Sequence, residues 1–248
     1  MRKGNKLGDL IFKSITLSSL EERYLELSSS IVRTPTVKLT SPFLIDIIKT
    51  SEIYLKLECF QYSGTFKARG ALSVAKQIPE KDKKFGITAA SAGNHAIAAA
   101  WAAKVENLSA KVVMQTSANP FRISLAKTFG AEIIMKEGGV ATFAEADKLT
   151  REEKRTFIHP FDGIDTTLGA AGVGLELIED YTELDAIVVA VGGGGLISGV
   201  AAAVKLKNSK CKVYGVEPLG ANSMSQSMVL EKPVTLDSVN TIADSLAP

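Results

Sequence analysis

The sequence predicts an α/β fold, with a mostly parallel sheet and helices on both of its faces. From residue 53 onward, short apolar runs alternate with segments of helical periodicity. The apolar runs are nearly continuous in Val, Ile and Ala, which is typical of strands buried on both faces. Repeated βα units of this kind place their strands in parallel. Ligands of such folds bind at the carboxyl ends of the strands, so we expect the functional residues in the loops that follow strands.

The predicted elements begin with a helix over Thr16–Ser29, in which Ser18 and Glu21 have the spacing of a capping box. Pro35 then ends helical structure. Six strands are predicted, at Ile53–Glu58, Phe85–Ala90, Lys111–Met114, Glu132–Met135, Ala186–Ala190 and Lys212–Val216. Six helices are predicted between and after them, at Phe66–Gln77, His95–Ala103, Phe121–Phe129, Thr142–Arg155, Thr167–Tyr181 and Gly199–Leu206. Gly130 is a typical residue to follow the end of a helix.

Composition excludes several classes of protein. The chain has 248 residues, of which 46% are apolar and 23% are charged, an ordinary globular balance that excludes disorder, collagen and coiled coil. The net charge is only +2 and aromatic residues make up 6%, so neither an electrostatic field nor a set of stacking side chains for nucleic acid is present. We therefore expect no nucleic-acid partner.

Cysteines and histidines are few. Cys59 and Cys211 lie far apart, which favours a reduced cytosolic protein over a disulfide scaffold. His95 and His159 are the two histidines, and without a Cys-x-x-Cys or His-x-x-x-His pattern they do not predict a zinc site. No Gly-x-Ser-x-Gly motif is present, which disfavours a hydrolase.

Two segments bear on localisation. Residues 1–13 lack the apolar centre of a signal peptide. Residues 186–204 have no charge, as a membrane span would, but they contain four consecutive glycines at 192–195. Each glycine in the interior of a helix costs about 1 kcal/mol relative to alanine. This segment is therefore interpreted as a strand, a loop and a helix and not as a membrane span. We expect a soluble, cytoplasmic protein without a membrane partner.

The glycine loop Gly192-Gly193-Gly194-Gly195-Leu196 follows a predicted strand and precedes a helix. Amides of a glycine-rich turn, together with the positive end of a helix, form a site for a phosphate. The loop matches neither the Walker motif nor the dinucleotide fingerprint. A tight turn that packs on a neighbouring element is the other explanation of these glycines.

Lys67 lies in the first turn of a predicted helix, in the segment Ser63–Gly70. The helix start, the nearby Arg69 and partial burial would each lower the pKa of its amine, as a Schiff-base lysine requires. An exposed lysine without a chemical role is the alternative.

The third loop, Ser91-Ala92-Gly93-Asn94-His95, follows another strand. Ser91 and Asn94 could simply cap the next helix, or the loop could hold a carboxylate or a phenolic oxygen. His95 is either a structural residue of the helix start or part of that site.

Together the three motifs, SGTFKARGA, SAGNHA and a tetraglycine followed by Leu, resemble those of the fold type II pyridoxal-phosphate enzymes. The similarity is to the branch of serine/threonine dehydratases (threonine ammonia-lyases) and serine racemases. It extends from about residue 16 to the last residue. Further stretches that agree are IVRTPT at 31–36, KVVM at 111–114, KTFGAEI at 127–133, HPFDG at 159–163, VYGVEP at 213–218 and TIADS at 241–245.

The resemblance implies a role for each matching residue. Lys67 would form the Schiff base with pyridoxal 5'-phosphate and remove the proton from the substrate α-carbon. Phe66 would pack against the cofactor and Asn94 would bond to its phenolic oxygen. The Ser91–His95 loop would bind the substrate carboxylate, and Gly192–Leu196 the cofactor phosphate. The implied reaction converts L-threonine or L-serine into a 2-keto acid and ammonia.

Racemisation of serine by the same family is an alternative activity. Racemases resemble SSGNH at the Ser91–His95 loop, and their second serine handles a proton on the face opposite the lysine. Ala92 occupies that position here and cannot carry a proton, which favours dehydration. Relatives also have a divalent-cation site built on a residue such as Glu217 with an acidic residue six positions later. Here that later position is Ser223, so we predict no metal site.

The resemblance also implies two domains, of which the smaller is inserted in the larger. Residues 1–83 and 158–248 would form the large cofactor-binding domain, and residues 84–157 the small domain with the substrate loop. Dimers are usual in the family, which makes a homodimer an expectation.

Two departures from the family's pattern stand out. Relatives resemble GQGT where this chain has Gly169-Ala-Ala-Gly-Val173, and that loop is expected near the cofactor. The sequence stops at Leu246-Ala-Pro248, where relatives continue, so the large domain is expected to be incomplete. A fragment that binds the cofactor but turns over poorly, and a nucleotide-binding α/β module, are therefore the alternatives of another class.

Overall fold

The predicted βα units form, and the α/β fold is confirmed. The structure is a computed structural model that describes residues 14–49 and 52–247. The prediction of no signal peptide concerns residues 1–13, which lie outside these ranges, as does Pro248. The α-helices are α1 Leu17–Ser28, α2 Pro42–Ile48, α3 Lys67–Lys76, α4 Glu80–Lys83, α5 Asn94–Val105, α6 Pro120–Thr128, α7 Gly138–Glu153, α8 Ile164–Asp180, α9 Gly195–Lys207 and α10 Ser223–Leu230. The strands are β1 Thr36–Lys38, β2 Tyr54–Lys56, β3 Ile87–Ala90, β4 Ala110–Gln115, β5 Glu132–Lys136, β6 Thr156–Phe157, β7 Ala186–Ala190 and β8 Lys212–Val216.

The central sheet has four parallel strands in the order β5-β4-β3-β6. Its middle strands are apolar on both faces, as predicted: all four residues of β3 are buried, and Val112 and Val113 of β4 are fully buried. Helix α5, which is rich in alanine, packs closely against β3 and β4. The carboxyl ends of these strands therefore meet at one edge, where the loops that follow β3 and β6 lie.

The start of α1 differs from its prediction. The capping box is formed by Thr16 and Ser19, because the Thr16 side chain accepts from the Ser19 amide and the Ser19 side chain accepts from the Thr16 amide. Ser18 and Glu21 do not form it; the Ser18 hydroxyl donates to Glu22 one turn later. Gly130 has φ +89° after α6 and ends that helix as predicted.

The strand predicted at Ile53–Glu58 is shorter and does not join a parallel sheet. Its central residues form β2, which pairs antiparallel with β1. Strand β1 was missed, because three residues after Pro35 are too short to show a periodicity.

Burial of β7 and β8 also differs from the prediction. These two strands pair in parallel with each other. Ile187 and Val189 face α8 and α9 and are buried, whereas Val188 is 68% exposed and Tyr214 is 50% exposed. The run of apolar residues is therefore buried on one face only, and the prediction of burial on both faces is wrong here.

An apolar groove of about 660 Å³ lies between β2 and β7. Residues 52–58 line one side and residues 186–190 the other, and Phe66 reaches into it. In the described part of the chain, β2 pairs only with β1 and β7 only with β8, so neither strand is paired across the groove.

Helices α3 and α8 cross at very short range. A Cβ added at Gly169 would lie 2.5 Å from the carbonyl oxygen of Arg69, so only glycine permits this approach. Residues 169–173 thus lie inside α8, and Gly169 packs against α3. The resemblance implied a loop at these residues, and that expectation is wrong. Within the described ranges, none of the helices is both long enough and apolar enough to span a bilayer.

Candidate active site

Lys67 is the first residue of α3, and its side chain is half-buried, with the amine end shielded from water. The Thr65 hydroxyl accepts from the Lys67 amide at 3.0 Å and so fixes the helix start. The amine Nζ donates to the carbonyl oxygen of Pro160 at 2.5 Å and lies 5.1 Å from the centre of the Phe66 ring. Burial lowers the pKa of the Lys67 amine to about 8. About a tenth of the amine is therefore neutral at pH 7, far more than for an ordinary lysine.

The predicted effect of Arg69 on that pKa is absent, because the charge of Arg69 is compensated. Its guanidinium is fully buried and contacts Glu58 at 2.8 Å and Glu176 at 2.7 Å. Burial is the cause of the lowered pKa of Lys67.

The glycine loop connects β7 with α9, as predicted. Gly194 precedes the helix with φ +88°. Gly193 packs against the Phe161 ring so closely that an added Cβ would lie 2.1 Å from a ring atom. Packing therefore accounts for the glycine residue types, as the alternative explanation held. Within residues 14–49 and 52–247, the amides from Gly192 to Leu196 donate no hydrogen bond, so they remain able to bind an anion.

The loop Ser91–His95 connects β3 with α5 at the same edge of the sheet. Gly93 is the residue before the helix and Asn94 is its first residue, so neither Ser91 nor Asn94 caps it with a side chain. The Ser91 hydroxyl instead accepts from the Gly93 amide at 3.0 Å. Ala92 is partly buried against the core. In the described residues, the amides of Ala92, Asn94 and His95 have no acceptor.

His95 has a structural side chain. It is 4% exposed, and its Nε2 lies 2.8 Å from the carbonyl oxygen of Ile158. Burial lowers its pKa to about 3, so the imidazole is neutral at physiological pH. The ring ties α5 to the segment after β6, and only the main chain of His95 remains for the predicted carboxylate site.

The segment His159–Gly163 joins the site, although the sequence motifs assigned it no role. Its Pro160 accepts from Lys67, and its Phe161 lies on the glycine loop. His159 is folded back on this segment, because its Nδ1 accepts from the Asp162 amide at 2.9 Å. The signal that could have found it is its position directly after β6, at the same sheet edge as the other loops.

Glu217, the weak metal candidate, lies after β8 and caps α10. Its oxygens accept from the Met224 amide at 2.8 Å and from the Ser225 amide at 2.7 Å. Within the described residues, no group of three or more His, Cys, Asp or Glu side chains is placed to hold a metal ion.

The predicted site residues thus fall into one connected arrangement. The 159–163 segment contacts both the Lys67 amine, whose pKa is lowered, and the glycine loop. Among the described residues, amides without an acceptor lie at the starts of α5 and α9. This set fits a ligand with an aldehyde for the amine and a phosphate for the amides, which is the chemistry of pyridoxal phosphate.

Comparison with known proteins gives the same result. The family model "Pyridoxal-phosphate dependent enzyme" matches residues 27–248. A phenylserine dehydratase of Ralstonia pickettii is 45% identical over 78% of this chain and 60% of the relative, and an L-threonine ammonia-lyase of Thermotoga maritima is 36% identical over 94% of this chain and 58% of the relative. The structure of maize serine racemase superposes with a TM-score of 0.88 at 34% identity, covering 94% of this chain and 70% of the racemase. The chain thus spans about three fifths of the length of these two curated relatives. It belongs to the family of pyridoxal-phosphate-dependent enzymes.

Proposed function

We propose that this chain catalyses the elimination of water from a β-hydroxy amino acid, L-threonine or L-serine, to give a 2-keto acid and ammonia. The observation that supports it most directly is the buried Lys67 amine, whose pKa is about 8. Two relatives are named for reactions of this kind, phenylserine dehydratase and L-threonine ammonia-lyase. The proposal places the enzyme among the lyases.

In this reaction Lys67 would hold the cofactor, and its amine would remove a proton from the substrate. Nζ is held by the Pro160 carbonyl, which orients it, and its neutral form accepts the α-carbon proton. When bound, pyridoxal phosphate supplies an electron sink for the charge left at that carbon. The amides from Gly192 to Leu196 would hold the phosphate, and Phe66 and Asn94 would contact the ring.

The Ser91–His95 loop would bind the substrate carboxylate through its main-chain amides, and its composition favours elimination over racemisation. Racemisation needs a proton donor on the face opposite Lys67. The Ala92 methyl cannot donate a proton, and the His95 imidazole of the same loop is held by its bond to the Ile158 carbonyl. The domain division at residues 84–157 stays a prediction; the four-stranded sheet lies within it.

The test is a spectrum followed by turnover. The purified chain is mixed with pyridoxal phosphate, and we expect the visible absorbance of a lysine-bound cofactor. L-threonine or L-serine should then release a 2-keto acid. Lys67→Ala should abolish both signals, and Lys127→Ala, a change at an exposed lysine of α6, should preserve both.

Other outcomes assign other functions. Absorbance without release of keto acid identifies a chain that binds the cofactor and does not turn over. Loss of chirality without keto acid identifies a racemase. Binding of NAD or ATP without the visible absorbance would show a nucleotide-binding module and contradict the proposal.

A further inference from the structure

Arg122 lies directly above the loop that would bind the substrate carboxylate. A Cβ added at Gly93 would lie 3.6 Å from the Arg122 Nη1 and 4.0 Å from its Cζ, so the guanidinium covers the turn between Ser91 and Asn94. The amides of Ala92, Asn94 and His95 have no acceptor in the described residues. An anion that binds to these amides would therefore be within reach of a fixed positive charge.

The position of Arg122 is unfavourable for its own helix. It is the third residue of α6, whose N-terminus is capped by the Asn119 side chain. A cation in the first turn of a helix is repelled by the partial positive charge of the helix N-terminus. Helix stability therefore does not explain an arginine here, and an anion near its guanidinium does.

In the described residues, Arg122 donates one hydrogen bond, from Nη1 to Asp244 Oδ2 at 3.0 Å. Asp244 comes from the last 3₁₀ turn, whose Leu246 packs on Gly192 of the glycine loop. Its carboxylate therefore lies between the two loops of the site. Four of the five N–H groups of the guanidinium remain for a second acceptor.

The pair of Arg122 with Asp244 is easily exchanged. The Asp244 side chain is 69% exposed and that of Arg122 is 25% exposed. Exposed ion pairs contribute little to stability, whereas an arginine bound to a carboxylate that is shielded from water gains more. A substrate carboxylate on the loop amides would thus compete well with Asp244.

We propose that Arg122 binds the carboxylate of the amino-acid substrate and that Asp244 holds the guanidinium when substrate is absent. The inference rests on the proposed function, since it concerns the same substrate. It makes opposite predictions for the two partners of one ion pair. Loss of Arg122 weakens substrate binding, and loss of the Asp244 charge strengthens it.

The kinetic test compares Arg122→Gln, Asp244→Asn and a control, Arg151→Gln, in the chain loaded with pyridoxal phosphate. Arg151 pairs with Asp147 on the exposed face of α7, away from both loops. We expect KM to rise about tenfold or more in Arg122→Gln, with kcat changed less than about twofold. KM should fall by about two- to fivefold in Asp244→Asn. Arg151→Gln should match the wild type.

A binding test does not depend on turnover. The probe is 3-hydroxypropanoate, which has the carboxylate and hydroxyl of serine and no amine, and its binding is measured by titration calorimetry. Arg122→Gln should weaken its binding about tenfold and Asp244→Asn should strengthen it, while Arg122→Lys should give an intermediate affinity. If the wild type releases no keto acid, the proposed function fails, but this titration still decides the role of Arg122.

Two results would overturn the inference. Equal affinity of wild type and Arg122→Gln for the probe, or no binding by either, removes Arg122 from the carboxylate site. A rise of KM in both Arg122→Gln and Asp244→Asn shows that the pair only fastens the last 3₁₀ turn. Thermal unfolding of each variant identifies one that fails to fold, in which case Arg122→Lys replaces Arg122→Gln in both comparisons.

Discussion

At the scale of single residues, the chemistry of the site depends on burial more than on neighbouring charge. Lys67 has a lowered pKa because water is excluded from its amine. Arg69, two residues later, has no such effect because two carboxylates compensate it. This short segment thus contains an arginine whose charge is balanced by carboxylates and a lysine that loses its proton more readily than usual.

The burial of Lys67 predicts a gain in stability when its charge is removed. The unfolded chain binds the proton below pH 10.5, the ordinary value, and the folded chain only below about 8. The charged amine therefore destabilises the cofactor-free fold increasingly as the pH falls from 10.5 to 8, and fully below 8. Lys67→Met should raise the free energy of unfolding at pH 7 by up to about 3 kcal/mol, and the gain should shrink at pH 9.5. Thermal unfolding at both pH values measures it.

Lys127→Met is the matched control, because Lys127 lies exposed on α6. It should change the unfolding temperature little at either pH. A Lys67→Met protein that is less stable than wild type at pH 7 would show that the bond to Pro160 outweighs the cost of burying the charge.

At the scale of elements, a buried ionic cluster fixes the start of α3. Arg69 joins α3 to Glu58 after β2 and to Glu176 in α8, and Lys56 of β2 contacts Glu176 at 2.6 Å. Both Arg69 and Glu176 are fully buried. Together with the close contact at Gly169, this cluster sets where α3 begins and hence where Lys67 lies.

Removal of Arg69 should be strongly destabilising, since it leaves buried carboxylates without their partner. Arg69→Ala should lower the free energy of unfolding by about 3–5 kcal/mol, as measured by urea denaturation. Arg151→Ala, which breaks the exposed pair with Asp147, should cost less than about 1 kcal/mol. Similar losses in the two variants would contradict the view that the buried cluster fixes α3.

At the scale of the whole molecule, one sheet face stays exposed to solvent. The outer face of β7 and β8 presents Val188, Tyr214 and Val216, each at least half exposed. A contiguous apolar surface of this kind favours association with another protein surface.

We expect the chain to self-associate through this face, and Val188→Lys to weaken the association. Sedimentation velocity over a range of concentrations measures it. Val140→Lys is the control. Val140 is also exposed, at 89%, but it lies on α7 and not on the face of β7 and β8. A wild-type chain that stays monomeric at high concentration, or equal effects of the two variants, would contradict this prediction.

The sequence by itself determined the alternation of strands and helices and the three loops at strand ends. The runs 186–190 and 212–216 are strands with the predicted bounds, because short runs rich in valine and isoleucine favour a strand. The order of Lys67, the Ser91–His95 loop and the glycines was sufficient to identify the family. Local composition determines these features, so one sequence was enough.

Only the tertiary structure decided which distant residues meet. The contacts of Lys67 with Pro160, Arg69 with Glu176, and Arg122 with Asp244 join residues about 90 or more positions apart. The antiparallel pairing of β1 with β2 was equally invisible in the sequence. Periodicity shows which face of an element is apolar, but it does not show which element packs on that face, since many partners would bury the same surface.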